Sequence, residues 1–225
     1  MTIPQKLNHH SSILTVLNLK ASWHNIQKVF KFPIVKILFP YACLLNLSFW
    51  LFYYLMPMYL NKQFKHYTFA YSLQELMIAI AAFICGLIMT KFSDYFLQHA
   101  YWYTIYLVLQ AVGIVFMSLL FMIITNEFIK LMILIIAWLF YGIFNFLSSL
   151  IFITKVQQQV DNRHLGITFG IIFSIFSALG PISAALSGFI KQPNSQTVFG
   201  IGSLMLIVAL VMLFDKRVAK LISFN

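Results

Sequence analysis

The chain has 225 residues, 61% of them hydrophobic and only 9% charged, against roughly 25% charged residues in soluble domains. That excludes a water-soluble globule and points to an integral membrane protein. The formal charge of +10 comes from basic residues that flank apolar runs rather than gathering in one patch, so they read as topology signals, and no nucleic-acid partner is expected.

Residues 1–32 are mixed in character and read as a cytoplasmic tail. Ser22 is placed to cap a short helix with Trp23, Ile26 and Phe30 on one face and Lys28 and Lys31 off it. This is the pattern of a helix lying on a membrane surface, with a disordered tail as the alternative. The start, MTIPQKLNHH, has no continuous apolar stretch, so no cleaved signal peptide is expected.

Six apolar runs follow, each long enough for the roughly 20 residues a helix needs to cross a bilayer. They cover about Pro33–Leu60, Tyr67–Thr90, Leu97–Thr125, Ile129–Thr154, Leu165–Ile190 and Val198–Phe214. The second ends in a polar turn, Thr90-Lys91-Phe92-Ser93-Asp94, and a polar loop from Lys155 to His164 separates the fourth from the fifth. The fifth is rich in Gly, Ala and Ser, which let helices approach closely in lipid, and Gly180-Pro181 should bend it. Residues 33–217 are therefore one six-helix transmembrane domain and 218–225 a cytoplasmic C-terminal tail.

An even number of spans puts both termini on one side. Eleven of the 15 Lys and Arg residues fall on that side, and Lys62, Lys65, Lys130 and Lys191 on the other. The positive-inside rule makes both termini cytoplasmic.

Glu75 is the one charge well inside an apolar run. A carboxylate in hydrocarbon is costly and faces a protein interior or a wet cavity, where burial raises its proton affinity. It is a candidate proton carrier or partner of a cationic substrate. The bland alternatives are a carboxyl bonded to Gln74, Gln110 or a serine, or a place near the outer interface.

Spans 1–3 and 4–6 compare as two triplets. Asn46 lies ten residues from Lys36, and Asn145 ten from Lys155. The two spans run in opposite directions, so both amides fall roughly 15 Å from the cytoplasmic side, near the midplane. Inverted triplets with midplane polar groups are a transporter pattern; coincidence is the alternative. Asn46, Trp50 and Tyr53 share one face, as do Trp138, Tyr141 and Asn145. These faces offer either stacking surfaces for amphipathic or cationic compounds or ordinary aromatic packing.

Cys43 and Cys85 fall inside apolar runs and read as small core hydrophobes. The histidines lie in tails and loops, no Ser-His-Asp grouping or phosphate loop is present, and no metal, cofactor or enzymatic activity is expected.

The segment Gly86-x-x-x-Thr90-Lys91-Phe92-Ser93 resembles the cytoplasmic loop motif of major facilitator superfamily transporters, G-x-x-x-D-[RK]-x-G. Gly86 and Lys91 match, while Thr90 replaces the acid and Ser93 the glycine. Arg163, Gly166, Gly170, Gly180-Pro181 and Gly188 are similar to the eleventh span of that family, and Met56-Pro57-Met58-Tyr59-Leu60 to the end of its seventh. Residues 18–39 resemble its central linker, and the acid early in the second span resembles the macrolide-efflux branch.

The resemblance implies an all-α membrane protein, the C-terminal half of a major facilitator fold, built as two inverted three-helix repeats. It implies a half-sized or split exporter in the cell membrane, driven by protons and acting on small amphipathic or cationic organic compounds. Asn46, Trp50, Tyr53, Trp138, Tyr141 and Asn145 would bind substrate, and Glu75 would couple protons. Gly86 and Lys91 would form the conformational loop, and Gly180 and Pro181 the bend. A second six-helix half is then required, from another copy or a separate N-terminal half. The alternative is a non-transporting remnant, or an accessory or immunity protein that binds a partner.

Overall fold

A backbone immersed in hydrocarbon must satisfy its own polar groups, which leaves helices or closed barrels. In the computed structural model, which describes residues 26–223, the described residues form helices and turns with no strand.

The helices are α1 (Pro33–Gln63), α2 (Ala70–Gln98), α3 (Trp102–Ile123), α4 (Glu127–Gln159), α5 (Asn162–Ser187), α6 (Ser195–Phe214) and the short α7 (Lys216–Ser223). The first six are long and apolar enough to cross a membrane. Pro33 opens α1, where its missing N–H costs nothing. The Asn126 side chain accepts from the backbone N–H groups of Phe128 and Ile129 to start α4, and Asn194 with Thr197 forms a capping box for α6.

Two sequence expectations need correction. The polar segment at 90–94 is not a loop: α2 runs on to Gln98, broken at Phe92 (φ −120°, ψ 17°), where its apolar part ends. The expected loop from Lys155 to His164 is helical except at Val160 and Asp161, because its glutamines are good helix formers that need no turn. The C-terminal segment folds as α7, with Val218 and Ile222 buried. The predicted surface helix falls largely outside the described residues. Its described part makes one helical turn at 26–29, with Val29 buried.

α1 packs against α5 and α6, α4 against α2 and α3, and α3 against α6, while α1 and α4 meet only lightly. Small residues set the closest crossings. A Cβ on Gly142 would stand 2.6 Å from the Cβ of Ala81, so only glycine lets α4 come this close to α2. Gly202 similarly admits Ile114 of α3. Ser183 Oγ donates to the Leu47 carbonyl at 3.0 Å across the α1–α5 contact, and Cys85 Sγ approaches the Ile143 carbonyl at 3.6 Å across α2–α4.

Two apolar clusters result. One holds Phe52, Tyr59, Phe64, Phe121, Leu134 and Trp138, where α1 ends. The other holds Ile34, Leu38, Leu147, Ile151, Val218 and Ile222, where α1 begins. Residues 42–49 of α1 lie between them in the chain, and there the packing opens.

Polar clasps close both ends. Where α1 ends, Tyr59 and Gln63 reach Ser195 at 3.0 and 3.4 Å, Lys130 Nζ donates to Gln63, and His66 meets Glu127 at 3.2 Å. Where α1 begins, the Tyr41 hydroxyl donates to Asp215 at 2.9 Å, Asp215 pairs with Arg217 at 2.9 Å, and Gln159 Nε2 donates to the Leu221 carbonyl at 3.1 Å.

Candidate functional site

The light contact between α1 and α4 leaves a cavity of ≈ 210 Å³ near the middle of both helices. α1 supplies Asn46 and Phe49, α3 Tyr103 and Gln110, α4 Tyr141, Asn145, Ser148 and Ser149, and α5 Phe173 and Phe176. Its walls are apolar and aromatic with a few amides and hydroxyls, the usual make-up of a small-molecule site.

The polar groups are partly committed. Gln110 Nε2 donates to Ser148 Oγ at 3.0 Å, and Ser148 Oγ donates to the Asn145 carbonyl at 3.0 Å. Such bonds between membrane helices contribute about 0.6–2 kcal/mol and tie α3 to α4. The Asn46 Oδ1 is covered and has no hydrogen-bond partner among the described residues. An unmet buried acceptor costs about 1–3 kcal/mol. The rings are fixed by stacking: Phe49 lies on Tyr141 with centroids 5.5 Å apart and planes 7° apart, and Phe152 leans on Tyr103 and Phe176.

The structure brings together three of the six expected substrate residues: Asn46, Tyr141 and Asn145 line this one cavity. The other three go elsewhere. Trp138 is 2% exposed and stacks on Phe52 at 5.5 Å, in the apolar cluster beyond the cavity. Trp50 stacks on Tyr54 at 5.7 Å, next to Gly180 of α5. Tyr53 sits beside Tyr71 and Glu75. A shared helical face was not enough, because the curvature of a helix over two turns delivers its ends to different neighbours.

Glu75 is exposed on α2, roughly 8 Å past the start of the helix. Gln74, itself fully buried, places its Nε2 3.5 Å from the Glu75 carboxylate. Gln110 is committed to Ser148 instead, so it is not the partner of Glu75. Gly86 is exposed, and a Cβ at that position would meet nothing within 4 Å. Lys91 holds its ammonium 5.6 Å over the Phe92 ring, next to the break in α2. Gly180 and Pro181 lie inside α5, which continues through them to Ser187.

Gln110, Ser148 and Ser149 were missed as wall residues. The signal existed for Gln110: it is an amide in the middle of an apolar run, as Asn46 is. For the serines there was none, since serine in a membrane helix bonds its own backbone without cost.

Comparison with known proteins gives no match to a family, to a curated protein or to a solved structure. The class of the protein rests on its six apolar helices and on this cavity.

Proposed function

We propose that the chain is one six-helix lobe of a two-lobed secondary transporter of the major facilitator type, with the α1–α4 cavity as its substrate site. The single observation that carries the reading is a cavity with apolar and aromatic walls and a few amides and hydroxyls, at mid-height between the first helices of the two triplets. Helix adjacency supports inverted repeats: exchanging α1 with α4, α2 with α5 and α3 with α6 swaps α1–α5 with α2–α4 and α1–α6 with α3–α4, and leaves α3–α6 in place. The bonds from Ser183 to Leu47 and from Cys85 to Ile143 occupy corresponding places in the two triplets. Because α1 and α4 cross in opposite directions, this symmetry is an inversion.

A second lobe completes the wall. α2 and α5 bury the smallest shares of their residues, 22% and 17%. Glu75, Ala79, Phe83 and Gly86 form an exposed stripe on α2, and Gly166, Gly170, Phe173 and Ser177 one on α5. A charged carboxylate facing hydrocarbon is costly, and a facing lobe or a wet cleft removes that cost. The partner is a second copy or a separately encoded six-helix half. The lobe sits in the cell membrane with both termini cytoplasmic, and it exports small organic compounds, driven by a proton gradient.

In everted vesicles carrying both lobes, a pH gradient should drive substrate flux, and Glu75→Gln should abolish the proton dependence while the chain still inserts. Flux that keeps its full proton dependence in the variant removes Glu75 from the mechanism. Absence of any flux favours the accessory-protein reading.

A further inference from the structure

The cavity wall is uncharged: no Asp, Glu, Lys, Arg or His among the described residues lines it. Glu75 lies with Tyr53 and Tyr71, off the wall. Lys155, two residues past the wall residue Ile153 on α4, is buried and has interactions of its own within the protein. Its charge opposes a second cation, and it is no wall group for an anion.

A cation entering here would lose its water and meet no opposite charge on this lobe's wall, which is costly in a low-dielectric interior. Aromatic faces could replace a counter-charge only if they were free. Phe49 and Tyr141 each give one face to the other, and Phe152 packs with ring centroids 6.5 Å from both Tyr103 and Phe176, so the wall rings offer a cation less than their number suggests.

The wall does present neutral hydrogen-bonding groups. Asn46 and Asn145 line it from facing helices, Ser149 lies on the same wall, and Gln110 and Ser148 are held in fixed positions by their mutual bond. The volume, ≈ 210 Å³, is below the roughly 300 Å³ at which drug-sized sites begin.

We infer that this cavity takes an electrically neutral, single-ring compound bearing an amide or hydroxyl group, rather than the organic cation that aromatic composition alone suggests. The ring would lie along the wall, and its polar group would meet the side-chain amides of Asn46 and Asn145. The inference rests on reading the cavity as the substrate site of the proposed carrier, and it narrows the substrate class.

The test uses the full chain in lipid nanodiscs and three probes of one shape: benzamide, benzylamine (a cation at pH 7) and benzoate. Isothermal titration should show saturable benzamide binding at least about tenfold tighter than that of either charged probe. Asn46→Leu and Asn145→Leu should each weaken benzamide at least about fivefold, with the elution profile and thermal midpoint of the chain unchanged. If one leucine variant fails to fold, Ser149→Ala on the same wall takes its place.

Equal or tighter binding of benzylamine or benzoate overturns the inference. So does the absence of benzamide binding, or benzamide binding indifferent to all wall substitutions. Neutral-selective binding without flux of the bound compound would leave the inference standing and sink the carrier reading. Flux of cations with no neutral preference would do the reverse.

Discussion

Gly142 and Gly86 are the same residue type on two neighbouring helices, yet the structure asks different things of them. At Gly142 a Cβ would collide with Ala81, whereas at Gly86 it would meet nothing within 4 Å. Gly142→Val should therefore lose about 1–3 kcal/mol by overpacking the α2–α4 crossing. Gly86→Ala should gain roughly 0.5–1 kcal/mol from helix propensity. Thermal unfolding of the two variants in detergent checks both signs, and a stable Gly142→Val would mean that α2 and α4 do not cross there. Asp215 makes a second residue-level claim. The Arg217 guanidinium beside it, with the Arg217 backbone N–H, holds its carboxyl well below the usual carboxylate range. A depressed folded pKa contributes stability that is present above the unfolded value, about 3.9, and is lost as pH falls through the folded value. The docking of α7 should thus be constant from neutral pH to about pH 4 and weaken in stronger acid. Hydrogen exchange at Val218 and Ile222, corrected for intrinsic rates, reads this directly, and Asp215→Asn should make the profile flat. Unchanged acid loss in that variant would assign the effect to another group.

At the level of the element, length and hydropathy were legible because a helix in lipid has no other way to hide its backbone. All six runs became helices. Their ends were less legible. The stretch KVQQQ looked like a loop because it is polar, but polarity reports departure from hydrocarbon and not the end of a helix, so α4 continues to Gln159. The break in α2 at Phe92 fell inside the stretch expected to turn, although the helix then resumes. The site was half legible. Asn46 and Asn145 could be placed at one depth by counting from flanking lysines, and they share a cavity. Trp50, Tyr53 and Trp138 were chosen by spacing alone. Spacing fixes a face but not its neighbour, and α5, α2 and the α1–α4 cluster claimed them separately. Gln110 carried a signal, an amide in the middle of an apolar run, whereas the serines came from contacts between distant helices, which one sequence does not carry.

For the whole molecule, the order of helices decides what is missing. α2, α4, α1 and α5 form a row backed by α3 and α6, and the cavity opens between α4 and α1. A second lobe related by an axis along the membrane normal would set α2 opposite α5 on both sides of that opening. The exposed acid on α2 and the open glycines on both helices then face protein rather than lipid. Site-directed disulfide crosslinking in native membranes tests this most directly, after replacing Cys43 and Cys85, the two free cysteines of the described residues. Cysteines at positions 79 and 86 of α2 and at positions 170 and 177 of α5 should join lobe to lobe. The product would have twice the mass of the chain or, where the partner is a distinct six-helix half that carries the matching cysteines, the summed mass of the two. A chain that stays at its own mass with every pair, while its cysteines react freely with a lipid-soluble thiol reagent, would contradict the two-lobed account.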